Sequence, residues 1–437
     1  MKPVALALLA GAFLLPCALN AASALEKVTE DMKTFSTTSR WIYNDLERGI
    51  EQAKLRNKPL MIIFRCVPCV ACSQFDKRVL EQQNEITDLM DLFVCVRIIH
   101  GNGMDLSLFQ FDYDQSFHTF FLHPDKTILG RFGTRSARKE DEDMTMEGLR
   151  KAMVGALDLH ARFDEVKASL AGKHGPAAAV AKPEEYPNLK DRYATTLATG
   201  TNVARSCIHC HQIRESDRLS YRSADKAFPD SVLFPHPLPD VLGLSLDPKQ
   251  RATVIAVEPG SIAAKSGLKP GDNIESLQGQ PLLSIADLQW VLHRAGPKET
   301  LAATLVRDGK TIQTRVELTD GWRRGNISWR ATTWDLRRMA TGGLLLEELP
   351  DGKRAALGLK ANELGLHVKH VGQYGEHAMA KRAGFLNGDV IVAVAGSKQR
   401  RTESELIESA LTLKKGESME MTVLRGGETK TMTFRTQ

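Results

Sequence analysis

Hydrophobic positions along this chain follow two periods. Pro59-Leu60-Met61-Ile62-Ile63-Phe64 is a continuous apolar, partly β-branched run, the pattern of a strand buried on both faces. From Cys72 onward, Phe75, Val79 and Leu80 recur at helical spacing with Asp76, Lys77 and Arg78 between them, which predicts a helix with one buried stripe. Phe93 to Ile99, His118 to Leu122 and Ile128 to Phe132 read as three further strands, the last two separated by a turn at Pro124-Asp125-Lys126. Met144 to Leu170 reads as a closing helix with Leu149, Met153, Leu157 and Phe163 inward. Gly172 to Pro183 lacks any amphipathic period and predicts a linker.

A repeat occupies the last part of the chain. Val254 to Val257 precedes Gly260-Ser261-Ile262-Ala263-Ala264-Lys265-Ser266-Gly267-Leu268-Lys269-Pro270-Gly271-Asp272-Asn273-Ile274, and Val368 to Val371 precedes a segment from His377 that runs Ala383-Gly384-Phe385-Leu386-Asn387-Gly388-Asp389-Val390-Ile391. Both read strand, short helix, A-G-hydrophobic, x-x-G-D, strand, so two domains of one kind are expected.

At the start, Met1-Lys2, the apolar run Val4 to Leu15 and the small-x-small site Ala22-Ser23-Ala24 form the pattern of a secretory signal peptide, with the mature chain beginning near Leu25. The run is shorter than the roughly 20 residues that span a bilayer, so membrane association is expected only if the segment is retained. The expected location is periplasmic or otherwise exported. A length of 437 residues allows about three domains. A net charge of +5 without a basic stripe carrying aromatics excludes nucleic acid as a partner.

Of the seven cysteines, Cys17 leaves with the signal peptide and Cys95 lies in an apolar strand. Cys66, Cys69, Cys72, Cys207 and Cys210 cluster three residues apart, a spacing suited to redox chemistry, metal ligation or haem attachment rather than to a scattered disulfide framework. Two C-x-x-C frames overlap at Cys69. Cys66 follows Phe64 too closely for the chain to have left the strand, so the expected reactive pair is Cys69, near a helix N-terminus that favours a thiolate, with Cys72 resolving and Cys66 auxiliary. An iron–sulfur or zinc ligand run and a purely structural disulfide are the alternatives. Ser206-Cys207-Ile208-His209-Cys210-His211 contains C-x-x-C-H, in which two thioethers can hold haem and His211 its iron. A disulfide and a zinc site with a further histidine compete with that reading. His236 is the candidate sixth ligand, and an open iron site is its alternative.

With Ala53, Lys58-Pro59, Leu60 to Phe64, Cys69, Cys72 and Asp76, residues 36–170 resemble exported members of the thioredoxin superfamily. Pro68 stands where relatives often carry an aromatic residue, and His118 where they place a cis-proline beside the cysteines. Cys207, Cys210 and His211 resemble the haem motif of c-type cytochromes, which implies one covalently attached haem c. The repeat resembles PDZ domains of HtrA-type proteases, over 238–320 and 342–437. The resemblance implies that a loop and edge strand take a partner's C-terminal carboxylate and add its chain as a strand. The matching positions are Gly243, Leu244 and Leu246 in the first copy and Gly365, Leu366 and Val368 in the second, with specificity helices from Ser284 and Thr402. No G-x-S-x-G motif in a fitting strand context accompanies them, so proteolysis is not expected.

The expected architecture is multidomain α+β. A signal peptide (1–24) leads into a thioredoxin-like α/β domain (36–170), a linker (171–183) and a short helical haem segment (184–237). Two PDZ-like β-rich domains follow, joined by a connector (321–341) in which Trp322, Trp329 and Trp334 pack. The expected function is thiol–disulfide redox or electron transfer, with protein or peptide C-termini as partners. A non-catalytic scaffold is the alternative.

Overall fold

The computed structural model describes residues 23–35, 40–69, 71–81 and 85–437. All but the last two residues of the expected signal peptide lie outside the described residues. Among the described residues no helix is long and apolar enough to cross a membrane.

The first sheet comprises β1 (Trp41–Tyr43), β2 (Leu60–Arg65), β3 (Val94–Ile98), β4 (Phe117–Leu122) and β5 (Ile128–Phe132), in the order β1-β3-β2-β4-β5. β3 runs parallel to β1 and β2, β4 runs antiparallel to β2, and β5 runs antiparallel to β4. Successive side chains of a strand face opposite ways, so the apolar run of β2 serves two cores. Met61 and Ile63 pack with Phe75, Val79, Phe117, Leu149 and Met153. Leu60, Ile62 and Phe64 pack with Val96, Phe109, Phe120, Ile208 and Ile213. The second face is thus covered by the segment that carries the C-x-x-C-H motif, which belongs to this core rather than to a separate body. The 171–183 stretch is likewise not free: Lys173 is buried in an ion pair with Asp287, and Ala178 and Val180 pack on the second core.

The middle unit has β6 (Leu244–Leu246) paired with β7 (Val254–Val257), and β8 (Asn273–Leu277), β9 (Gln280–Pro281), β10 (Glu299–Arg307) and β11 (Lys310–Leu318) in the order β11-β10-β8-β9. The C-terminal unit is one antiparallel sheet of β12 (Leu344–Glu348), β13 (Leu366–Val371), β14 (Val390–Val394), β15 (Ser418–Arg425) and β16 (Glu428–Arg435), in chain order. The two units repeat strand, strand, short helix, strand, helix, hairpin. The repeated G-D serves the same purpose in each. Asp272 accepts two hydrogen bonds from Arg307 at 2.6 and 2.7 Å, and Asp389 accepts two from Arg425 at the same distances, tying the strand entry to the hairpin.

The Ile285–Arg294 helix of the middle unit packs on β5. Asp287 accepts from Arg131 N–H and Leu283 N–H and pairs with Lys173 Nζ at 2.8 Å, Trp290 Nε1 donates to Gly172 O, and the Arg131 guanidinium lies 4.0 Å from the Trp290 ring. The thioredoxin-like and middle units are therefore locked by buried polar groups.

Candidate functional site

β2 continues one residue beyond the expected end, to Arg65, and the chain turns at once. Cys66 and Cys69 form a disulfide with Cα atoms 5.5 Å apart, and Cys69 N–H donates to Cys66 O. The buried Arg65 guanidinium staples this turn: it donates to Cys66 O, Ser116 O and Cys69 O, and its Nε donates to Asp76. Asp76 also accepts from Arg97, which pairs with Asp31 at 2.6 Å. Burial alone would lower the Arg97 pKa, but the Asp76 and Asp31 carboxylates raise it.

The expected Cys69–Cys72 pairing is corrected here. The helix starts at Ser73, not near Cys69, and Cys72 occupies its N-cap with φ +59°. That left-handed residue turns the thiol inward, where it is 4% exposed, packs with Phe75 and Phe117 and has its pKa raised by burial. Cys66 is 6% exposed and Cys69 half-buried, so Cys69 is the more accessible member of the disulfide. Cys95 is buried, and desolvation pushes its thiol up to about 12.

His118 does not occupy the cis-proline place either. Ser116 abuts the turn, its O accepting from Cys66 N–H and its hydroxyl donating to Ala71 O, and no cis peptide bond occurs among the described residues. His118 lies two residues deeper, opposite Phe64, stacked on Phe111 at 4.6 Å with Nδ1 2.9 Å from Gln115 Oε1. Its burial and the nearby Arg131 keep it neutral.

The second motif docks beside the first. Gly101 N–H donates to Ile208 O at 2.7 Å, Ile208 N–H to Asn102 Oδ1 at 2.8 Å, and Asn102 Nδ2 to Ser206 O at 2.9 Å. This clamp brings His209 Nδ1 to 3.2 Å from Cys66 Sγ, and the His209 ring stacks on His211 with centroids 5.3 Å apart. Burial, followed by the neighbouring His211, lowers the His209 pKa to about 4.

Cys210 opens the Cys210–Ser223 helix and packs against the second core, while the buried Cys207 thiol donates to Ile99 O at 3.5 Å. Burial pushes both thiols up to about 12. The Cys207 thiol is buried, Cys210 is partly buried beside it, and the His211 ring stacks on His209. His236, the candidate sixth ligand, is buried with its ring stacked on His293 at 3.9 Å. Among the described residues no three His, Cys, Asp or Glu side chains converge as a metal-ion site.

Gly243, Leu244 and Leu246 lie where an edge is open. Gly243 has φ +70°, and a Cβ there would collide with Ser261, which explains the glycine. Among the described residues β6 pairs with β7 alone; Leu244 and Leu246 are buried and Ser245 is exposed between them. Its free side borders a 250 Å³ groove shared with Ile285, with the Thr134–Arg138 loop of the thioredoxin-like unit, and with Asn326 and Trp329.

The expected second-copy positions are corrected by the register. Gly365, Leu366 and Val368 lead into and lie on β13, which is hydrogen-bonded to β12 on one side and β14 on the other and so offers no edge to a peptide. The equivalent of β6 is β12, preceded by Gly342 (φ +67°) and Gly343 (φ +93°). The 640 Å³ groove beside it is lined by Leu345 to Glu348 and Thr402 to Glu405, and again by Asn326 and Trp329. Leu346 N–H there donates to Glu403 Oε1 at 2.8 Å, and Glu403 is held by Arg337 at 2.7 Å. Arg65, His209, Glu403 and the Gly342-Gly343 loop escaped the sequence reading; only the loop carried a signal, a glycine pair before three leucines.

A family model described as thioredoxin-like matches residues 41–124, and one described as PDZ domain matches residues 240–318. The chain is 33% identical over 189 residues to a probable periplasmic serine endoprotease DegP-like protein of Pseudomonas fluorescens, covering 42% of this chain and 37% of that one. It is 33% identical over 150 residues to the periplasmic pH-dependent serine endoprotease DegQ of Escherichia coli, covering 34% and 29%. Among solved structures, an HtrA-type protease with a decapeptide matches at 16% identity and a TM-score of 0.22, covering 42% of this chain and 53% of that one. The chain spans 37% and 29% of the length of these two curated relatives. It contains a thioredoxin-like domain and a PDZ domain and is similar over part of its length to DegP-like and DegQ proteins.

Proposed function

We propose that this protein is a periplasmic thiol–disulfide exchange protein in which Cys66 and Cys69 are the redox pair and two PDZ units hold a protein or peptide partner. The observation that carries the reading is the Cys66–Cys69 disulfide at the end of β2, with Cys69 accessible and Arg65 fixing the carbonyls of both cysteines. Thiol–disulfide exchange needs an approachable sulfur and a second cysteine to resolve the mixed disulfide, and this turn supplies both. The open edge of β6, and by its place in the repeat that of β12, supports capture of an extended chain by strand addition. Periplasmic location is supported by the names of the curated relatives and by the leader-like start of the chain.

The test is equilibration of the mature chain with reduced and oxidised glutathione, with the cysteines read by alkylation and mass. Reversible opening of one disulfide, lost in Cys69→Ser, is expected. A disulfide that never opens, together with partner binding unaffected by Cys69→Ser, would favour the scaffold. That second reading is supported by the polar lock between the thioredoxin-like unit and the middle helix, which suits a rigid platform. The intact mass of chain made in a periplasm competent for cytochrome maturation also tests the haem reading of Cys207, Cys210 and His211: a haem-sized gain, lost in Cys207→Ala, would support it, and no gain would remove it.

A further inference from the structure

The thioredoxin-like sheet and its cysteine turn leave one contact unexplained: His209, 143 residues away in sequence, places Nδ1 3.2 Å from Cys66 Sγ. We propose that His209 is a catalytic residue for the Cys66–Cys69 pair, its Nδ1–H stabilising the Cys66 thiolate that leaves when a partner thiolate attacks Cys69. This rests on the thiol–disulfide reading above.

The geometry sets the roles. A disulfide sulfur has no proton to give, so in this contact the ring nitrogen is the donor. Burial and His211 hold its pKa to about 4, so the imidazole is neutral near pH 7, and the contact with a sulfur that can only accept assigns its single proton to Nδ1. The ring is fixed from three sides: Ile208 is clamped by Gly101 and Asn102, His209 N–H donates to Gln212 Oε1 at 2.8 Å, and the ring face rests on His211.

In the reaction, the partner's first thiolate attacks the more exposed Cys69 Sγ. The new bond joins partner sulfur to Cys69, the Cys66–Cys69 bond breaks, and its electron pair leaves on Cys66 Sγ against the His209 N–H. The partner's second thiolate then attacks its own sulfur in the mixed disulfide, closing the partner disulfide and releasing Cys69. The partner dithiol is oxidised, the cysteine pair is reduced, and the two protons that the partner loses are regained by Cys66 and Cys69 from water. A hydrogen bond to a thiolate is charge-assisted and stronger than one to a disulfide sulfur, so this donor favours the leaving state over the starting state.

The full mature chain provides the test, with His209→Phe, which keeps a ring but no donor, and His209→Asn, whose amide N–H can take the place of Nδ1–H. Rates of opening by reduced dithiothreitol and the equilibrium constant against its oxidised form are measured for each. His209→Phe is expected to slow opening by roughly tenfold and to shift the equilibrium toward the disulfide by a similar factor, about 30 mV, with His209→Asn restoring most of both. Unchanged rate and equilibrium in a natively folded His209→Phe chain would overturn the proposal, as would equal losses in both variants. Failure of the wild-type chain to open at all would instead overturn the exchange reading itself.

Discussion

Arg65 does more for the cysteine turn than the cysteines do for one another. Its guanidinium hydrogen-bonds three carbonyls and Asp76, so removing it takes one donor from each, while Asp76 keeps Arg97 and the Cys66 and Ser116 carbonyls keep their backbone donors. Arg65→Met is expected to cost about 1 to 3 kcal/mol, the range for lost charged hydrogen bonds where the carboxylate keeps a partner, measured by urea unfolding. Arg65→Lys is expected to recover little, since an ammonium cannot serve that planar fork of acceptors. A loss below about 1 kcal/mol would mean that the turn holds without its staple. At this scale the sequence was informative about the cluster and misleading about the pairing. Three cysteines at i, i+3 and i+6 offer two frames, and the choice depends on where the strand ends and on a left-handed residue at Cys72. Arg65 and Asp76, which flank the cluster, are joined there by Arg97 from β3.

Secondary-structure elements were the most legible level. The apolar runs at Leu60 to Phe64, Phe93 to Ile99 and Ile128 to Phe132 are strands of the first sheet, and the repeated G-D pairs mark equivalent ion pairs with Arg307 and Arg425. What failed was the assignment of Gly365-Leu366 to an edge. The glycine–leucine pattern recurs at both 342–346 and 364–368, and only strand order separates an edge from an interior strand.

The Asp272–Arg307 pair yields a test at this scale. Burial would raise the Asp272 pKa, but the Arg307 hydrogen bonds bring it below the usual carboxylate range. A group depressed in the folded state stabilises fully above its unfolded pKa of about 3.9 and loses that contribution as pH falls through the folded value. Asp272→Asn is therefore expected to lower the urea midpoint at pH 7 and to shrink the difference from wild type as pH falls below about 4. A difference independent of pH would show that the charge of Asp272 contributes nothing.

Across the whole molecule, the interface between the thioredoxin-like unit and the middle unit was invisible in the sequence because Lys173 and Asp287 lie in segments read as a linker and as a peptide-binding helix. Both are buried, and burial lowers the Lys173 pKa while Asp287 opposes the shift. Asp287→Ala leaves that ammonium unpaired in the interior and is expected to cost about 3 to 5 kcal/mol. It should also split a shared calorimetric transition into two, as the units lose their lock. An unchanged single transition would contradict the view that these groups join the units.

Every functional statement depends on which cysteines are joined. The measurement that tests this most directly is alkylation of the unreduced mature chain, followed by proteolysis at the intervening residues and mass mapping of Cys66, Cys69 and Cys72. The account predicts a Cys66–Cys69 linkage with Cys72 carrying no disulfide, its thiol alkylated once the chain is unfolded. A Cys69–Cys72 linkage, or three free thiols under oxidising conditions, would contradict it.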